Sequence, residues 1–234
     1  FKPTKGCLKY HFLRSSVGLL GVFGNFYATT HMAHTADAAM LNKLSPFATL
    51  LFSAIFLKEK VKPKQAIAII VAFVGAMFVI KPTMSNIELI PSVAGLIGGL
   101  SAGAAYTCVR HMANKGENGR FTVLFFSAFS VLVTSPYLIF NYSPMSGKQF
   151  LYLMLVGLCA AGGQFGITAA YGFAPSSEIS IFDYSNIIFT AIEGYFFLGH
   201  QVPDTLSVVG YIIIIAMAVW MFIYNNKDNS LKKA

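Results

Sequence analysis

Six polar residues between positions 176 and 193 keep one helical spacing. Ser176, Ser180, Asp183, Asn186, Thr190 and Glu193 are separated by steps of 4, 3, 3, 4 and 3. On an α-helix those steps fall on one stripe. The other faces of the segment carry Ile179, Ile181, Phe182, Ile187, Ile188, Phe189, Ile192 and Phe196. Carboxylates, an amide and hydroxyls in an apolar helix can line a wet cavity and hold a polar solute, or they can form a buried network with a neighbouring helix. A weaker stripe of the same kind runs through Thr35, Ala39, Asn42, Ser45, Thr49 and Phe52, with Lys43 one step off it. An ammonium there can bind an anionic group of a ligand, pair with a carboxylate, or snorkel to the membrane surface with no further role. Asn25 and Gln164 each follow a glycine, Gly24 and Gly163, so another backbone can approach them closely. Tyr106, Tyr171 and Tyr184 can stack on or hydrogen-bond a ligand, or can anchor a span at the interface.

The elements that position these residues follow from composition. Of 234 residues 56% are hydrophobic and 11% charged, against about 45–50% and about 25% in soluble domains. Too few charges remain to cover a soluble surface, and the mean hydropathy of +0.64 agrees. Disorder, collagen and coiled coil are excluded by the 15% aromatic content and the lack of a matching repeat. The chain reads as an all-α polytopic membrane protein. Runs such as Ile67–Ile80 and Ile212–Ile223 are continuously apolar and do not alternate, which argues against a β-barrel.

Eight stretches are long enough, or nearly so, for a 30 Å bilayer core. They lie at about 13–30, 36–57, 65–80, 88–112, 120–140, 149–172, 177–198 and 204–224. With eight spans both termini share one side. Fourteen of the seventeen basic residues fall on that side, among them Lys2, Lys5, Lys9, Arg14, Lys58, Lys60, Lys62, Lys64, Arg110, Lys115 and Arg120. The positive-inside rule puts that side, and both termini, in the cytoplasm of a cell-membrane protein. It also accounts for the net charge of +8 without nucleic acid, whose phosphates need a basic patch on a folded surface.

The chain repeats itself weakly. Gly18–Phe26 resembles Gly157–Phe165, and after a two-residue gap an offset of 141 pairs Asp37 with Glu178, Asn42 with Asp183, Leu57 with Leu198 and Val61 with Val202. Spans 1–3 therefore match spans 6–8. Because span 1 starts on the cytoplasmic side and span 6 on the other, the copies are inverted, as in alternating-access transporters. The second copy has five spans and the first three, so two helices are expected ahead of Phe1, ten in all.

The stretch Leu41–Pro82, LNKLSPFATLLFSAIFLKEKVKPKQAIAIIVAFVGAMFVIKP, resembles the end of an EamA-type domain of the drug/metabolite transporter superfamily. The pattern is an apolar helix with a mid-span Ser-Pro, a closing Leu-x-Glu, a basic turn, and an apolar helix ending near Lys-Pro. Phe182–Asn225 resembles it again, with Ile187 in place of the proline and His200 in place of the closing glutamate. The resemblance implies two inverted five-helix repeats around a central cavity. Residues 1–82 would close the first repeat, 83–226 form the second, and 227–234 form a basic cytoplasmic tail.

The expected function is secondary transport of a small polar metabolite, such as an amino acid, by alternating access. Asp183, Asn186 and Lys43 lead the cavity candidates, with Asn42, Gln164, Asn25, Thr190, Glu193 and Tyr184 behind them. Asp183 and Glu193 are candidate protonation sites for proton or counter-substrate coupling; the plain alternative is a static hydrogen-bond partner. The GxxxxGK[ST] phosphate loop is absent from the sequence. Cys7, Cys108 and Cys159 form neither a disulfide framework nor a zinc pair. His31, His34 and Asp37 span too wide an arc for a metal, so no cofactor is expected. Gly95, Gly99 and Gly103, and likewise Gly162 and Gly166, read as tight helix packing. Pro46 should kink span 2. Exposed apolar helices leave room for a homodimer. Two rival readings stand: a lipid-modifying membrane enzyme, which would need an acidic or His cluster at one membrane face, and a non-transporting assembly or sensor protein, which would pack the stripe of span 7 dry.

Overall fold

The computed structural model describes residues 3–32, 35–80, 89–197 and 204–231, and these are helical nearly throughout. The helices are α1 (Leu8–His31), α2 (Thr35–Asn42), α3 (Ser45–Phe56), α4 (Pro63–Ile80), α5 (Leu89–Asn114), α6 (Gly119–Phe140), α7 (Gly147–Phe173), α8 (Ser176–Ile179), α9 (Ser185–Phe197) and α10 (Thr205–Leu231), with a 3₁₀ segment at Ser180–Tyr184 joining α8 to α9. Among the described residues five stretches are long and apolar enough to cross a membrane: Ala38–Phe56, Leu89–Asn114, Gly119–Phe140, Gly147–Phe173 and Thr205–Asn225; the apolar helix Pro63–Val79 is shorter.

Helix α5 is the centre of the bundle and packs on α1, α2, α3 and α7. Its glycines make this approach feasible. A Cβ on Gly98 would stand 2.9 Å from Asn25 N, one on Gly99 2.5 Å from Leu41 O, and one on Gly103 2.5 Å from Ala48 Cβ. The Gly95–Gly99–Gly103 reading holds. For Gly162 and Gly166 it does not, because nothing lies within 4 Å of a Cβ at either position. Only Thr168 and Tyr171 of α7 are buried, so the helix meets its neighbours near its C-terminal end. A second contact joins α4 to α10, where Gly75 and Gly210 face each other's carbonyls. Ala68, Ala72 and Ala76, one face of α4, pack there with Ile69, Ile181, Tyr184, Ile187, Ile214 and Met221.

Two of the expected continuous spans are broken. The second divides at Lys43–Leu44, where Lys43 and Leu44 bond back in tight turns to Met40 and Leu41 and α3 restarts with Pro46 in its first turn. A missing N–H costs nothing at that position of a helix. The seventh divides without a proline. Ser180 Oγ donates to Ser176 O at 2.5 Å and Ser185 Oγ to Phe182 O at 2.6 Å, and such side-chain bonds compete with the α-helical ladder. The single polar stripe is corrected accordingly. A 3₁₀ turn advances about 20° more per residue than an α-turn, so the five residues rotate the later part of the stripe by roughly 100°.

Candidate functional site

The two breaks meet each other. Tyr184, fully buried, donates its hydroxyl to Lys43 O at 3.2 Å. Lys43 Nζ donates to Asp183 O at 3.3 Å and to Asn186 Oδ1 at 3.4 Å. A backbone carbonyl at each break is thus used by a side chain of the opposite segment. The offset of 141 that pairs Asn42 with Asp183 also pairs Lys43 with Tyr184, and these two residues are in direct contact. Asp183 is half-buried as a residue, yet its Oδ2 is sealed from solvent and has no hydrogen-bond partner. Lys43 lies within electrostatic reach of that carboxylate. Lys43, Asp183, Asn186 and Tyr184 therefore converge.

The other candidates are placed as follows. Asn42 ends α2 against Gly99. Asn25 is half-buried on α1, its backbone N against Gly98 and its carbonyl accepting from Thr29 Oγ1. Gln164 accepts from Arg14 Nη2 at 2.8 Å, about 16 Å along α1 from Asn25. The side chains of Thr190 and Glu193 lie outside the described residues.

Sequence reasoning missed Arg14. It was expected among the basic residues flanking span 1, but it is 3% exposed, with its guanidinium carbon 3.6 Å from the centre of the Phe126 ring. It sits six residues into α1, about 9 Å from the helix start, a depth that the expected span beginning at 13 did not reveal. Tyr106 stacks on the fully buried Tyr171 with ring centres 5.2 Å apart and lies in electrostatic range of both Arg14 and Asp183. Tyr171 faces Thr49 and Ser180. The polar interior thus runs from Arg14 past the tyrosine pair to Asp183 and Lys43. The cleft of about 870 Å³ lined by Glu117, Arg120, Phe165 and Thr168 lies between α5, α6 and α7, away from Lys43 and Asp183.

At the end where α3, α5 and α7 terminate, a charged cluster closes the bundle. Lys58, in the left-handed region at φ 55°, ends α3. Glu59 Oε1 then accepts from Arg110 Nε at 2.7 Å, and Oε2 accepts from Ser176 N at 3.0 Å. Arg110 Nη1 donates to Tyr171 O at 3.1 Å. Both charged side chains are about one-eighth exposed, at 12% and 13%. Glu59→Gln is expected to lower the free energy of unfolding by about 2 kcal/mol, less than a fully buried pair because the rim is wet. A denaturant titration of the purified protein checks it, and an unchanged midpoint would show that the pair stabilises nothing.

The same end holds a second carboxylate. Glu117 accepts from Thr4 N at 2.9 Å and Asn118 N at 3.0 Å, and His11 Nε2 lies 3.3 Å away. Burial works to raise its pKa, but the two backbone donors and His11 outweigh it and hold the carboxyl below its ordinary 4.5. The charged form is the bound form. Its stabilisation is therefore complete above the ordinary value and is lost as pH falls through the lowered one. Glu117→Gln should cost about 1 kcal/mol at neutral pH, with the gap from the parent closing below about pH 4. Thermal unfolding against pH tests this, and a gap independent of pH would contradict it.

Residues 2–81 match the family model described as the EamA-like transporter family. The chain is 27% identical to the pseudopaline exporter CntI of Pseudomonas aeruginosa, over 88% of this chain and 72% of the relative. It is 22% identical to a riboflavin transporter of Vibrio cholerae, over 89% of this chain and 70% of the relative. Human solute carrier family 35 member G1 is 26% identical over 94% of this chain and 63% of that protein. A solved crystal structure superposes with a TM-score of 0.72 at 17% identity, covering 88% of this chain and 73% of the other, which shows a shared fold.

Proposed function

We propose that the chain is an EamA-type member of the drug/metabolite transporter superfamily, a secondary transporter of a small polar metabolite working by alternating access. The observation that carries this reading is the crossing of the two broken helices, with Lys43, Asp183, Asn186 and Tyr184 gathered at the breaks. Broken helices inside a membrane are tolerated where they line a cavity or are buried in protein, and they mark binding sites in transporters built from inverted repeats. In this reading the helix pairs α2–α3 and α8–α9 each make one span. With α1, α4, α5, α6, α7 and α10 they give eight spans, in inverted repeats bounded at 1–82 and 83–226. The protein sits in the cell membrane with its basic face cytoplasmic, and the Glu59–Arg110 cluster closes that face in the conformation described. Asp183 takes and releases the coupling proton. Relatives named as a pseudopaline exporter and a riboflavin transporter support a small-molecule solute.

The test is an untargeted metabolite comparison, inside and outside cells expressing the full chain and cells carrying an empty vector. One class of polar solute is expected to redistribute. No redistribution, with the protein confirmed in the membrane, would sink the proposal.

A further inference from the structure

We infer that Arg14 is the seat for a carboxylate group of the transported solute, so that the substrate class is a carboxylic acid; this rests on the transporter reading. A guanidinium carries five N–H donors and cannot shed its charge in a protein. Arg14 is 3% exposed and spends one donor on Gln164 Oε1, at 2.8 Å. Its Nε and Nη1 are buried without a hydrogen-bond partner. Among the described residues no carboxylate lies within ion-pair distance of it. Phe126 covers one face of the guanidinium at 3.6 Å and offers only a weak counter-charge.

A buried cation without a paired carboxylate is costly, and among the described residues this one is held by a neutral amide. The geometry leaves donors for a two-point contact. Whichever hydrogen of Nη2 faces Gln164, one fork of the guanidinium remains, either Nε with Nη2 or Nη1 with Nη2, and either fork matches the two oxygens of a carboxylate. Gly18, one turn further along α1, puts no side chain over Nη1, where a Cβ would stand 3.5 Å away. Tyr106 lies within electrostatic range of both Arg14 and Asp183, so a solute anchored at Arg14 would extend toward Lys43 and the helix breaks.

Two measurements on the full chain test the inference. The first is thermal unfolding of the purified protein in nanodiscs, with sodium glutarate compared against sodium chloride at matched ionic strength. Glutarate is expected to raise the midpoint of the parent and to leave Gln164→Glu unmoved, because that variant supplies Arg14 with an internal carboxylate while keeping the fold. Absence of a glutarate effect on the parent, or an equal effect on Gln164→Glu, overturns the inference. The second repeats the metabolite comparison with Gln164→Glu and Arg14→Lys. Redistributed solutes should carry a carboxylate; their transport should fall by about tenfold or more in Gln164→Glu, and less in Arg14→Lys, which keeps the charge and loses the fork. Redistribution of solutes without an acidic group overturns the carboxylate seat and leaves the transporter reading standing. Glutarate binding that depends on Gln164, without any redistribution, does the opposite.

Discussion

Asp183→Asn is expected to lower the initial rate of solute transport about a hundredfold, equivalent to about 2.7 kcal/mol in the rate-limiting step. The substitution keeps shape and volume, so the crossing of the two broken helices survives. The bond from Lys43 Nζ to the Asp183 backbone carbonyl survives with it. What disappears is the charge of a carboxylate whose Oδ2 is sealed and without a partner. In the proposed reading that oxygen receives a proton or a cationic group of a solute. Without it, the ammonium of Lys43 loses its nearby counter-charge, and under the proposed proton coupling the two conformations of the carrier would no longer differ in protonation. Initial rates in proteoliposomes, compared at equal protein incorporation, are the measurement. A rate within twofold of the parent would remove Asp183 from the mechanism.

The second large effect is structural. Gly103→Val is expected to destabilise the fold by about 3 kcal/mol or more, the upper end for overpacking, and Gly103→Ala by somewhat less. A Cβ at 103 would stand 2.5 Å from Ala48 Cβ, 2.8 Å from Thr49 N and 3.0 Å from Ala48 C. These are backbone and near-backbone atoms with no flexible end to give way, so α3 and α5 must separate. Thr49 moves with α3, and Tyr171 faces it, so solute binding should weaken along with stability. Gly162→Ala is the control. Nothing lies within 4 Å of a Cβ there, and alanine favours the helix, so the midpoint should stay level or rise. Denaturant titrations of the three variants decide the matter. Equal losses at 103 and 162 would refute the packing account.

How far the sequence could be read depends on what kind of information each residue carries. Apolar runs state their own length, so the expected spans 65–80, 88–112, 120–140 and 149–172 coincide with helices to within two residues at each end, while α10 runs seven residues past the eighth. Span 1 starts five residues early, at Leu8, because polar Lys9, His11 and Arg14 are still helical. The breaks were less legible. Pro46 announces one, although the chain turns two residues before it. At Ser180–Tyr184 the cause is a set of serine back-bonds that no periodicity records. Lys43, Asp183 and Asn186 could be picked as a group because polar side chains in apolar helices stand out. Their direct contact could not, since it depends on how two helices cross. Arg14 was hidden by its neighbours. A cation among other basic residues near a span end looks like a flank, and only its depth in the folded bundle separates it from Lys9. Gly162 and Gly166 failed in the reverse direction, since small-residue spacing identifies helix faces that can pack closely without naming the partner.

The cluster that closes one end of the bundle also bears on how the chain is built. Glu59 is separated by 51 residues from Arg110 and by 117 from Ser176. During synthesis from the N-terminus its carboxylate emerges long before either partner. Its nearest counter-charges in sequence during that interval are Lys58, Lys60, Lys62 and Lys64. Those lysines hold the α3–α4 turn in water at the membrane surface, where an unpaired carboxylate is tolerated, until α5 arrives and then α7. The last bond, from the Ser176 N–H, forms only after α7 has been inserted. This end of the bundle is therefore fastened late, and a ribosome stalled before residue 110 would leave α1–α4 in the membrane with the fastening open.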